Sequence, residues 1–569
     1  MRRRWAALGL VVVLAGCGGV PRSSEVVSGS RLGNDPRIGL LQVIPDGPVR
    51  GAAAVDVVRG FLLAAASFEG DHAVAREFLT AGAAQDWRPD VATTIVAATP
   101  DLALVSQDRT EAVVAVSATA TATIDSSGHY VEQPAGTTAA RQVRLEREDG
   151  QWRLADPGDG VVLSRLDASR TLRSFPVHFV TSGPAPQLVG DVRWFGYDRS
   201  TATRIVRALL EGPSPWLAPA VVSGAPAGTR LRVGTVPVAA GTATVDLTDA
   251  ALDADPAERA LLVAQLRASL GGLPGVTDVE VTVDGADLSR DDSQGADLPR
   301  STRPADARLV VLGPQGLSRW DRSELRPVTG TGPGLELGGT ATHPAAAPGL
   351  TAYAVLTDGG RVARVQAPGG ALEPAVSGRG PLVPPSIDRF GWLWTAPAAA
   401  GSAPIVVPAS APATPAAEVD PPADGLGGTL LQARVSHDGT RLLVVVRDDA
   451  GVFHVRAHGI VRDADGRPLR LAAGTADLVP GAGEVLDLAW LADDRFVLLL
   501  RDATGAGVPV LGQVAGPATR LPAVPGAVSV AGGWTDRDVV VGTADGRLLT
   551  RSGADWIVVA DGRDPAYPG

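Results

Sequence analysis

Catalysis or metal binding would rest on histidine, cysteine or paired acidic side chains, and this chain places them in few suggestive arrangements. It holds 7 His, 1 Cys and no Lys among 569 residues. His454 and His458 are four apart, but Val452 to Val461 alternates apolar and polar as a strand does. On a strand those positions share a face yet lie ~13 Å from each other, too far to bind one metal ion. Asp463-Ala464-Asp465-Gly466 opens like a calcium loop, but Gly474 stands where an EF-hand needs its last acidic ligand. A hairpin turn is the better reading. No His-Glu-x-x-His and no Gly-x-Ser-x-Gly nucleophile elbow occurs. Without Lys there is no Walker A loop, no Schiff-base lysine and no Ser-x-x-Lys pair. All 51 basic side chains are therefore Arg, which does not transfer protons at neutral pH. These residues predict a non-enzymatic protein with no catalytic residue, metal or cofactor.

The lone cysteine has a different chemistry. Arg2-Arg3-Arg4 precedes a short apolar run from Trp5 to Ala15, and Leu14-Ala15-Gly16-Cys17 follows. A basic stretch followed by a short apolar one is a secretory signal, and the run falls short of the ~20 residues of a spanning helix. The small residues before Cys17 resemble the bacterial lipobox. That resemblance implies cleavage after residue 16, an S-diacylglyceryl thioether on Cys17 and an N-acyl group, such as palmitate, on the new terminus. The plainer alternative is a secretory signal with an incidental cysteine. Such a free thiol, alone in a secreted protein, would be a liability. Two or three acyl chains hold a protein firmly to a bilayer where one is marginal. The expected location is the outer face of the cytoplasmic membrane, with residues 17–50, rich in Gly, Ser and Pro, as a tether.

The elements behind the tether change character along the chain. The length suggests several domains, and 45% hydrophobic residues allow each a core. The net charge of −11 becomes more negative on loss of the signal and argues against a nucleic-acid partner. Residues 51–172 read as an α+β module. Val57, Val58 and Phe61 share a helical face, and a second helix is expected to carry Val74, Phe78 and Leu79. Strands follow at Ala112 to Val116, Ala118 to Ile124 and Val143 to Leu145, with a turn at Glu148-Asp149-Gly150. Two helices and a curled antiparallel sheet resemble the cystatin/NTF2-like architecture. Residues 174–288 read as a second α+β unit, with a helix from about Ser200 to Glu211 and another opened by Asp255-Pro256-Ala257-Glu258. Leu262, Leu266 and Leu270 follow in that helix, and strands Thr242 to Leu247 and Asp278 to Val283 alternate.

Residues 289–304 read as a polar linker, its Asp287 to Asp297 cluster a solvated one. From 305 to 569 short Val/Leu runs recur after related turns, as in Ser436-His437-Asp438-Gly439-Thr440-Arg441 and Thr543-Ala544-Asp545-Gly546-Arg547. Such degenerate repeats, punctuated by Trp320, Trp392, Trp394, Trp490, Trp534 and Trp556, resemble a β-propeller with room for about six blades. An ordinary β-sandwich is too small for this length. Pro404 to Asp424 is then expected to be an inserted loop.

Leu209-Leu210-Glu211-Gly212-Pro213, Pro226-Ala227-Gly228-Thr229, Ala243 to Leu247 and Leu273 to Gly285 resemble the GerMN domain of sporulation proteins and cell-envelope lipoproteins. The order lipobox, α+β module, GerMN domain and propeller resembles the actinobacterial LpqB lipoprotein family, as do Leu382 to Asp388 and Gly391-Trp392-Leu393-Trp394. That resemblance implies a two-component regulator. The lipoprotein would bind the extracellular domain of the MtrB sensor kinase, tune MtrA–MtrB signalling and so affect cell wall and division. The alternative is an envelope glycan-binding or glycan-processing propeller. Raised-pKa carboxylates in its funnel, or Trp394 or Trp490 exposed there, would favour it. Apolar packing of the Trp set would count against it.

Overall fold

The first module grows from one long strand. Glu111–Asp125 buries Ala112, Val114, Val116, Ala120, Ala122 and Ile124, a period of two that lapses only at the half-buried Ala118, with no Gly or Pro to interrupt the strand. The two strands expected there are thus one. Its first half pairs with Asp101–Gln107 on one edge and Thr138–Glu148 on the other, and its second half pairs with Ala92–Val96 and Tyr130–Glu132. Thr138–Glu148 turns into Gln151–Asp156 through Asp149 and Gly150, with φ of 49° and 75°. Positive φ at both centre residues gives the tight turn whose twist suits a hairpin. Helix Ala54–Ala64 lays Val57, Val58 and Phe61 into this module's core.

The second helix is shorter than expected, Ala73–Arg76 only. The chain then bends to extend the sheet edge, where the backbone N–H of Leu154 donates to Phe78 and that of Thr80 to Leu154. Leu79 is therefore a bridge residue, and a further helix Ala81–Asp86 starts from the Thr80 hydroxyl. These pairings span distant chain, which local periodicity does not register.

A computed structural model describes residues 45–288, 308–314, 316–321, 324–328, 341–365, 372–376, 378–410 and 415–569. Cys17, the signal, most of the tether and the linker lie outside the described residues. The second module pairs Leu172–Thr181 with Leu188–Gly196, and Thr242–Leu247 in parallel with Asp278–Val283. Helices Thr201–Glu211 and Pro256–Leu270 cover these strands. Asp255 accepts from the Glu258 N–H and Glu258 from the Asp255 N–H, the capping box that the sequence announces.

Among the described residues the rest of the chain forms six four-stranded antiparallel sheets. In chain order their first strands begin at Val310, Thr342, Ser386, Thr429, Val485 and Ala527. The chain's last strand, Arg563–Ala566, pairs with Val310–Gly313 and supplies the fourth strand of the first sheet. The ring closes by sharing one blade between the two ends of the domain, as a propeller does. The segment expected as a loop over Pro404 to Asp424 contains two strands among its described residues. Ile405–Pro408 and Ala417–Glu418 are the outer strands of the third blade. An outer strand tolerates proline, and the buried run Ile405, Val406, Val407 packs between blades.

The second module sits directly on the propeller, within one compact unit running from Val43 to Gly569. Arg441 of the fourth blade donates to the Gly190 carbonyl, Gly459 N–H donates to Trp216 at 3.2 Å, and Trp194 Nε1 donates to Ala515 at 2.8 Å.

Candidate functional site

The inner strands of all six blades converge on an axial channel. It is lined by Asp564 from the first blade, His343 from the second, Ser386 from the third, Arg434 from the fourth, Asp487 from the fifth and Ser529 from the sixth. Its free volume is about 60 Å³. That holds a few waters, whereas sites for small organic ligands run ~300–1,000 Å³.

Asp487 lies in the otherwise apolar run of Val485–Leu491, where its carboxylate needs partners. It accepts from Leu488 N–H and from Val530 N–H of the next blade, each at 2.9 Å, with Arg434 at 3.6 Å. Arg434 in turn donates to Pro384 of the third blade, and Trp490 Nε1 donates to the Arg434 carbonyl at 2.8 Å. Ser386 Oγ accepts from Val435 N–H. The channel's polar atoms thus stitch neighbouring blades together. Burial pushes the Asp564 carboxyl above the ordinary carboxylate range, with the nearby Asp487 adding to it and His343 opposing.

A second polar layer lies between the blades. Asp438 accepts from Ser436 and Thr440 and pairs with Arg441 at 2.6 Å, with both charged side chains 1% exposed. Asp388 accepts from Trp394 Nε1 at 2.9 Å and Arg462 at 2.7 Å, and Arg462 also lies 4.4 Å from the Phe390 ring centre. Burial drives the His437 pKa down to about 4, partly opposed by the Ala492 carbonyl and Asp438, and its ring stacks on Trp534 at 4.5 Å.

Sequence-flagged residues separate into different surroundings. His454 lies between Asp477 at 2.7 Å and Asp448 at 3.1 Å, which raise its pKa, whereas His458 is buried with Nδ1 at 3.0 Å from the Ala472 carbonyl. Asp463 accepts from the N–H groups of Asp465 and Arg467, so its carboxylate closes a hairpin. The same contact, to the second and fourth following N–H, recurs at Asp388, Asp448 and Asp502. Trp394 is 1% and Trp490 4% exposed, and neither offers a ring face to a sugar. Asp487, Asp564 and Arg434 went unmarked in the sequence, and Arg441 reads there only as the end of a blade turn. For Asp487 a single charge inside an otherwise apolar strand was the available signal.

Chemically this arrangement holds blades together and positions no nucleophile. Ser269 Oγ and His178 Nδ1 approach at 3.5 Å, but both are buried where helix Pro256–Leu270 packs on strand Leu172–Thr181, and Ser269 accepts the His178 backbone N–H. Among the described residues no group of three His, Cys, Asp or Glu could hold a metal, and no helix is long and apolar enough to cross a membrane.

Three family models cover most of the chain. They are described as the lipoprotein LpqB N-terminal domain over 47–169, sporulation and spore germination over 176–289, and the lipoprotein LpqB beta-propeller domain over 315–568. Lipoprotein LpqB of Streptomyces coelicolor is 30% identical, covering 99% of this chain and 97% of its own. Lipoprotein LpqB of Streptomyces avermitilis is 28% identical, covering 100% and 99%. Among solved structures, TolB from Acinetobacter baumannii is 14% identical with a TM-score of 0.32, covering 46% of this chain and 67% of its own.

Proposed function

Because the chain belongs to the LpqB lipoprotein family, we propose that it is an accessory of a membrane sensor, anchored through a lipidated Cys17 on the outer face of the cytoplasmic membrane. Its partner is the extracellular domain of the MtrB sensor kinase. Binding one state of that domain better than the other shifts its population and so tunes signalling to the cell wall and division machinery. The lipidated tether over 17–50, the modules over 51–172 and 174–288, the linker over 289–304 and the propeller over 305–569 are its parts. The protein is not an enzyme. The observation carrying this reading is family likeness along nearly the whole chain, joined to a scaffold whose buried polar groups serve its own seams.

Two anchors confined to one membrane raise the effective concentration of a weak contact. The glycan reading keeps one observation, the raised Asp564 carboxyl beside Asp487. Trp394 and Trp490 are buried, and the axial channel is smaller than a sugar site. The test is binding of the mature chain carrying Cys17→Ser to the MtrB extracellular domain. Saturable contact of micromolar strength or better supports the regulator. Its absence with a folded chain, together with binding to peptidoglycan fragments, would move the function to the envelope glycan.

A further inference from the structure

The blade seams do not use every polar group on the axial channel. Ser529 Oγ and His437 Nδ1 have no hydrogen-bond partner among the described residues, although Ser529 is only 1% and His437 8% exposed. Both residues line the channel. His437, with its pKa at about 4, is neutral at neutral pH and gives its other ring nitrogen to the Ala492 carbonyl, so Nδ1 carries a lone pair. Buried acceptors left unmatched are rare because they forfeit their hydration, so these two call for a donor. The channel is also short of positive charge. Asp487 and Asp564 line it against one guanidinium, Arg434, which lies 3.6 Å from Asp487 and also donates to the Pro384 and Ala433 carbonyls. His343 and Tyr567 are the remaining titratable side chains on the wall. Burial and the nearby Asp487 make Asp564 hold its proton more tightly than usual, as expected where a second carboxylate lacks a counter-ion. Ser529 belongs to the same corner. Val530 N–H donates to Asp487, and a Cβ on Gly542 would lie 2.4 Å from Ser529 Oγ and 3.5 Å from the Asp564 nitrogen.

A small cation rich in N–H donors satisfies all of these groups. An anion would meet two carboxylates and a lone pair. A metal ion fits poorly, because among the described residues no group of three His, Cys, Asp or Glu could hold one. An ammonium group needs only acceptors, and its strongest hydrogen bonds are those to carboxylates. The chain has no lysine side chain to supply one. We propose that the channel binds a primary alkylammonium group of another molecule, shared between the Asp487 and Asp564 carboxylates and the Ser529 hydroxyl. A free volume of about 60 Å³ admits the charged head and a carbon or two, so the rest of a larger amine stays outside. This site does not depend on the sensor-kinase reading and stands or falls separately from it.

The melting temperature of the mature Cys17→Ser chain, read against methylammonium chloride and an equal concentration of sodium chloride, tests it. Methylammonium is expected to raise the midpoint beyond sodium and to saturate at roughly 10 mM, the ceiling for a ligand of two heavy atoms. Tetramethylammonium, which has the charge but no N–H, should act no better than sodium. Asp564→Asn is expected to weaken methylammonium binding about tenfold. Asp564 has a φ of 50°, a conformation that Asn also tolerates, so this change spares the backbone. Ser529→Ala removes a hydroxyl without a partner, so it should leave the midpoint in sodium chloride unchanged while weakening binding about fivefold. Asp545→Asn, in an exposed turn of the sixth blade, should bind as the parent does. Nα-acetyl-lysine amide separates the sources. Binding as tight as that of methylammonium assigns the group to a lysine side chain, and binding of methylammonium alone assigns it to a small free amine. A midpoint no higher in methylammonium than in sodium or tetramethylammonium overturns the proposal. So does binding that survives unchanged in both Asp564→Asn and Ser529→Ala.

Discussion

Asp438 and Arg441, three residues apart on one blade turn, show what single residues do in this molecule. Their charges are out of water, so each is held by the other and by neighbouring dipoles, and Arg441 also reaches Asp493 and Gly190. Asp438→Ala would leave a buried, unpaired guanidinium and is expected to cost about 3–5 kcal/mol in urea unfolding. His437 gives the molecule a pH dependence. Its pKa falls from 6.5 to about 4 on folding, so the unfolded chain takes up the proton first as pH drops. Stability is full above about pH 6.5 and is lost as pH falls from there through about 4, by about 3 kcal/mol. His437→Phe keeps a ring against Trp534 and should flatten the unfolding midpoint between pH 4.5 and 7. An unchanged slope would place the effect elsewhere.

Elements interlock where backbones come close. A Cβ on Gly459 would lie 2.7 Å from the Trp216 carbonyl and 3.2 Å from Ala220 Cβ. Gly459 lies in the strand Phe453–Arg462 of the fourth blade, and Trp216 and Ala220 belong to the second module. Gly459→Ala is therefore expected to destabilise the seam by about 1–3 kcal/mol, the range for overpacking. Protease nicking at the seam, compared with the parent chain, checks it alongside the melting temperature. By contrast Asp255→Ala removes only a helix cap, and about 1 kcal/mol should be lost.

At the scale of the whole molecule, the second module and the propeller share buried contacts and are expected to melt as one transition. Arg441→Ala should separate a second, lower calorimetric transition by removing the link to Gly190. Two transitions in the unaltered chain would contradict that coupling. Attachment to the membrane belongs to this scale too. Cys17→Ser is expected to move the protein from the detergent phase to the aqueous phase, with the signal retained or cut elsewhere.

The family, the order of modules and most strands and helices were legible because they depend on local pattern. Alternation marked Thr242–Leu247 and Asp278–Val283, Asp255 and Glu258 announced a helix start, and recurrent Asp turns announced blades. What local pattern could not carry was long-range pairing. The second helix stopped at Arg76 because Leu79 joins Leu154, and Ile405–Pro408 is a strand because neighbouring blades bury it. The channel's polar side chains come from six separate strands, and their proximity exists only once Arg563–Ala566 closes the ring on Val310–Gly313. Periodicity encodes which face of an element is apolar, and only the fold decides what that face and its edges meet.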